Sequence, residues 1–83
     1  MRVWVSKEDI KNGIGCDANK CPIANALKRK YKDIGIAVGP HSIHLSFQDE
    51  TKIFNLTSKS AAKVLDFDLD KGMSPGYIYY KES

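Results

Sequence analysis

Three short apolar runs, at residues 36–38, 43–47 and 52–56, follow one another with links of only four residues between them. A parallel crossover needs a dozen or more residues, so these runs can pair in one sheet only as an antiparallel meander. The middle run sets the register. Ile43, Leu45 and Phe47 alternate with His44 and Ser46, which gives one buried and one solvent-facing side. Residues 39–42 (Gly-Pro-His-Ser) and 48–51 form the two turns.

The flanking segments supply the remaining elements. Residues 2–5 read as a strand, with Val3 and Val5 on one side and Arg2 and Trp4 on the other. Ser6 caps a short helix whose first turn holds Glu8 and Asp9, and Gly13 and Gly15 end it. After a loop over residues 13–21, Pro22 fits the first position of a second helix, where its missing N–H costs nothing. Ile23, Leu27 and Tyr31, with Ala24 beside them, make its buried stripe; Asn25, Lys28, Arg29 and Lys32 lie on its other side. Thr57 or Ser58 caps a third helix. Ala61, Val64, Leu65 and Leu69 are expected to line its inner face, with Ala62 and Phe67 nearby and Gly72 just past its end. Residues 77–80 close the chain as a strand, with Tyr77 and Tyr79 on one side and Ile78 and Tyr80 on the other. The expected fold class is α+β: one small domain over residues 1–83, order β-α-α-β-β-β-α-β, with a mostly antiparallel sheet and helices on one face.

Composition narrows the setting. Eighty-three residues make one domain with a modest core. No apolar run approaches the roughly 18 residues of a membrane span, and residues 1–5 turn polar too quickly for a signal peptide. The expected compartment is therefore the cytoplasm, where Cys16 and Cys21 are thiols. A net charge of +3 biases the chain mildly toward anionic partners.

Asp17, Cys21-Pro22-Ile23-Ala24, Ala26 and Leu27, preceded by Ile10 and Gly13, resemble a signature shared by small uncharacterised phage and prophage proteins. Leu69-Asp70-Lys71-Gly72, Pro75 and Tyr77-Ile78-Tyr79 resemble that group's ending, with Leu69 where the group has Phe. The resemblance implies a viral accessory protein acting in the host cytoplasm, without an established catalytic activity. Phage proteins of this size include sponges that sequester nucleotide immune signals, so counter-defence is the associated expectation.

Four kinds of chemistry are open to this sequence. A loop containing Asn19 and Lys20 leads into a helix N-terminus, and Asn25, Lys28 and Arg29 follow on one helix face. Free N–H groups at such an end attract anions, so these five residues are the candidate site for a small anionic ligand such as a nucleotide. The glycine spacing fits neither a P-loop nor a dinucleotide fingerprint, and no cofactor is expected. The alternative is that Asp17 or Asn19 merely caps the helix and the basic side faces water. Cys16, Cys21, His41 and His44 form a zinc ligand set by type but not by spacing. A nucleophilic Cys21, activated by its helix N-terminus, is the catalytic alternative; nothing in the sequence supplies an orienting residue, and no enzyme is expected. Asp66, Asp68 and Asp70 match no calcium loop and read as a solvated acidic helix end. Finally, Lys28–Lys32 with Tyr31, and the tyrosines of the last strand, are compatible with nucleic-acid binding or with a protein interface. So small a domain encloses a ligand most economically as a homo-oligomer.

Overall fold

The computed structural model describes residues 1–15, 17–69 and 71–83. Its elements follow the expected order: β1 (Arg2–Val5), α1 (Lys7–Lys11), α2 (Pro22–Lys30), β2 (Gly35–Val38), β3 (Ser42–Ser46), β4 (Thr51–Leu56), α3 (Ser58–Asp68) and β5 (Gly76–Glu82). The five strands form one sheet in the order β1-β5-β4-β3-β2, antiparallel at every pairing. The meander pairs in register, Ile43 facing Phe54 and Leu45 facing Ile36. No helix among the described residues is long and apolar enough to cross a membrane.

Alternation along each strand puts Val3, Val5, Ile36, Val38, Ile43, Leu45, Phe54, Ile78 and Tyr80 on one side of the sheet. Ile23, Ala24, Ala26 and Leu27 of α2 and Val64 of α3 close over them in a single core. The placement of α2 shapes the sheet. It packs against both β1 and β2, which are the two edge strands of the order. One helix can reach both edges of a five-stranded sheet only if the sheet curls around it, and the result is a half-barrel. Its concave side holds the helices and its convex side is left uncovered.

Edge strands expose unpaired backbone groups that invite foreign strands, and here α2 and its leading loop occupy them. The backbone groups of Arg2 and Trp4 face away from β5. Lys30 Nζ donates to the Arg2 carbonyl at 2.7 Å, and Arg29 Nη2 to the Trp4 carbonyl at 3.0 Å. On the opposite edge, the Val38 N–H donates to the Ala18 carbonyl at 2.9 Å. At the entry to α2, Gly13 passes against the Pro22 ring; a Cβ there would meet Pro22 Cγ and Cδ at 2.6 Å, so only glycine fits.

Helix α3 departs from its expected orientation. Val64 is buried and Ala61 and Phe67 are half-buried, but Leu65 and Leu69 are 54% and 56% exposed. The cause is Ser60, which apolar patterning places outside. Its hydroxyl accepts the Tyr79 N–H at 2.8 Å and the Thr57 hydroxyl at 3.0 Å, turning the 60/64 face toward the sheet. Gly72, expected directly after the helix, lies further on, past the C-cap residue Leu69, with a left-handed φ of 84°.

Truncating the side chain that α2 drives into the core measures this arrangement. Leu27→Ala, at a fully buried position, is expected to cost about 2–5 kcal/mol in urea unfolding with an unchanged m-value.

Candidate functional site

The loop before α2 is organised by Asp17. Its carboxylate accepts the N–H groups of Asn19 and Lys20 at 2.9 and 3.0 Å, and its carbonyl accepts the Cys21 N–H at 3.0 Å. Neither Asp17 nor Asn19 caps α2. The N-cap is Cys21, whose Sγ accepts the Ala24 N–H at 3.4 Å, while the Cys21 carbonyl accepts the Asn25 N–H. Cys21, Pro22, Ile23 and Ala24 are all buried, so the first turn of α2 faces the protein interior. Burial pushes the Cys21 thiol pKa up, outweighing the N–H groups of Ala24 and Ile23 that pull it down. The activated thiolate considered for this helix start is thus replaced by a protonated core thiol.

The five candidate residues fall into two groups. Lys28 Nζ donates to the Asn19 carbonyl, with Lys20 exposed in the same turn. Asn25 and Arg29 turn the other way, toward α1. Arg29 Nη1 meets Asp9 Oδ1 at 2.6 Å, and Asn25 Nδ2 donates to the Asp9 carbonyl at 3.2 Å. Asp9 in turn completes a capping box with Ser6: the Ser6 N–H reaches Asp9 Oδ2 at 2.8 Å and the Asp9 N–H reaches Ser6 Oγ at 3.2 Å. The 340 Å³ depression between α1 and α2 is lined by Glu8, Asp9, Asn12, Lys20 and Asn25. Two carboxylates in its wall work against an anionic occupant.

The other candidates are dispersed. Among the described residues no three His, Cys, Asp or Glu side chains converge as metal ligands. His41 is exposed in the β2–β3 turn and His44 points outward from β3, while Cys16 and Asp70 lie outside the described residues. Tyr31, half-buried, ends its ring at the buried Tyr80, hydroxyl to hydroxyl at 3.0 Å, and Lys30 Nζ reaches Tyr80 Oη at 3.2 Å. Burial raises the pKa of both phenols, most directly by penalising their charged forms.

The convex side of the sheet carries the arrangement that the motifs did not reveal as a unit. Trp4 lies opposite Tyr77, and Arg2 opposite Tyr79, in the β1–β5 pairing. Trp4 meets Tyr77 edge to face at 5.0 Å between ring centroids, Tyr79 lies 6.2 Å from Tyr77, and the Arg2 guanidinium sits 4.3 Å over the Tyr77 ring. All three rings remain open to solvent: Trp4 48%, Tyr77 36% and Tyr79 46%. Around them the outward strand positions hold Lys81, Asn55, Ile53, His44, Ser42, Ser46, Thr51, Ala37 and Gly35. None is a carboxylate, although the chain has ten Asp and Glu residues. The sequence signal was the alternation of Tyr77 and Tyr79. No local pattern links Trp4 to them, because β1 and β5 lie at opposite ends of the chain.

Comparison with protein families, with curated proteins and with solved structures returned no match.

The Asp9 clamp has a pH signature. Burial alone would raise the Asp9 pKa, but the hydrogen bonds from Arg29 and Ser6 and the Arg29 charge hold it below the usual carboxylate value. A pKa lower in the folded state stabilises above the unfolded value, and that contribution is lost as pH falls through the folded one. Asp9→Asn is therefore expected to cost about 1–2 kcal/mol at neutral pH. It is also expected to flatten the loss of stability seen below about pH 4, as read by urea unfolding across a pH series.

Proposed function

We propose that the protein is a non-enzymatic binding module whose convex sheet face takes single-stranded nucleic acid by base stacking. The observation that carries this reading is the open cluster of Trp4, Tyr77 and Tyr79 beside Arg2 on a face without carboxylates. Every base has a π-face, and unpaired bases stack on exposed aromatic rings while nearby cations follow the phosphates. Trp4 and Tyr79 offer the stacking surfaces. Tyr77, with Arg2 over one side of its ring and Trp4 at 5.0 Å, holds the group together. Arg2, level with Tyr79, and Lys81, two residues beyond it on β5, supply charge at the Tyr79 end of the cluster.

This reading keeps the nucleotide-like chemistry expected of the ligand and moves it to another surface. At the loop and α2, Lys28, Arg29 and Asn25 are held by backbone carbonyls and by Asp9. On the convex face the rings are solvated. Stacking with few hydrogen bonds to base edges gives little sequence choice, and a face with two cations gives modest, salt-sensitive affinity. The phage-type role implied by the sequence resemblance is compatible with such a module but does not carry the proposal.

Trp4 is the single tryptophan of the chain, so it reports directly on stacking. Single-stranded oligonucleotides are expected to quench its fluorescence at low salt, with an effect that fades as salt rises. Tyr79→Ala is expected to weaken binding by about 1–3 kcal/mol, and Arg2→Gln to lower the salt slope by about 1. Unquenched Trp4 fluorescence at millimolar oligonucleotide and low salt would sink the reading.

A further inference from the structure

Helix α3 presents a second apolar stripe that the fold leaves uncovered. Ser58, Ala62, Leu65 and Leu69 are all exposed and follow at spacings of four, three and four residues, which is the seam of a helix pair. Pro40 and His41 of the β2–β3 turn stand beside it, and between them and Ser58, Ala61, Ala62 and Leu65 runs a groove of 310 Å³. The charges that flank the seam say what fits it. Lys59 lies near its start and Asp66 near its end, on the same flank, both exposed. This order opposes the dipole of their own helix, which favours acid at the start and base at the end. No acid lies in the first turn of α3 and no base in its last.

We propose that this face binds a second copy of the chain, with the two α3 helices antiparallel about a two-fold axis. A two-fold needs a patch that complements itself, so that each contact occurs twice. Antiparallel pairing lays Ala62 against the partner's Leu65 and Ser58 against the partner's Leu69. That last contact seats Leu69 of each chain at the groove beside Pro40 and His41 of the other. The same register brings Lys59 opposite the partner's Asp66, twice. Parallel pairing would instead set each flank beside the partner's opposite one, leaving Asp66 next to Ala61 and forming no Lys59–Asp66 contact. The charge order that is unfavourable within one helix becomes favourable between two, and the partner's reversed dipole acts in the same sense. Three helical turns and a turn tip make an interface below the standard size, so the dimer is weak, with Kd on the order of 100 µM.

Sedimentation of the full chain from roughly 10 µM to 1 mM covers that range. Weight-average mass is expected to rise toward twice the chain mass for the wild type and to stay at one chain mass for Leu65→Glu. Lys59→Asp and Asp66→Lys each place two like-charged contacts across the axis and are expected to be monomeric alone. Mixed in equal amounts they are expected to associate, because the heterodimer holds one Asp–Lys pair of each sense. Both substitutions are at exposed positions, and circular dichroism verifies that each variant is folded. A wild type that stays monomeric throughout the range overturns the proposal. So does association undiminished in the single variants, or a mixture no heavier than its components.

Discussion

The contact on which the structure depends is that of α2 with both edges of the sheet. Ile23, Ala24, Ala26 and Leu27 are at most 1% exposed, and fully burying a large aliphatic side chain is worth about 1.5–3 kcal/mol. In a domain this small, that burial is a large share of the total driving force. A flat five-stranded sheet could not give it to one nine-residue helix, because β1 and β2 stand at opposite ends of the strand order. Curling the sheet around α2 solves the packing and settles where the uncovered surface lies. The convex side is solvated because the short chain spends its helices on the concave one.

The same helix explains the fate of its basic residues. A run such as Lys28-Arg29-Lys30 invites a search for an external anion, but the most accessible acceptors are internal. The free edge of β1 turns two carbonyls toward α2, and Arg29 and Lys30 donate to them. Asp9 would be costly to bury alone; the guanidinium offsets that cost and ties α1 to α2 and β1. Arg29 thus joins three elements at once. The charge remains half exposed, so its worth lies more in directed hydrogen bonds than in Coulomb attraction.

Local rules read most of this fold correctly. The meander and the element order follow from link length, and the inward face of β3 from alternation; β4 is not decided that way, because Ile53 and Phe54 are adjacent and apolar and only Phe54 turns inward. The burial of the Cys21 thiol at the start of α2 fits its position directly before the apolar stripe. Period 3.6 is less decisive, and α3 shows why. Its apolar residues fill two adjacent stripes, and what selects one of them is the Ser60 hydroxyl on the Tyr79 N–H, a contact across 19 residues that no local pattern contains. The site was less legible for a related reason. Sequence patterns join candidate ligands that are close along the chain, whereas Arg2, Trp4, Tyr77 and Tyr79 are joined by pairing between the first and last strands. Asn25 and Arg29 kept their places on one helix face, but Asp9, sixteen and twenty residues earlier, claimed them.

The two uncovered surfaces stand on opposite sides of the molecule, and this bears on how they would act together. Helix α3 packs on the concave side with its stripe turned away from the sheet, while the rings of Trp4, Tyr77 and Tyr79 project from the convex side. Pairing through α3 therefore leaves both stacking faces open and directs them outward. On the proposed reading, one face with a few rings and two cations would bind a single strand weakly. Two such faces on the proposed dimer would convert the second contact into an intramolecular one, raising affinity for any strand long enough to span both without adding a contact. The gain vanishes for strands too short to reach. A length threshold in binding, abolished by Leu65→Glu while short-strand binding is unchanged, is the expected signature of the two surfaces working as one device.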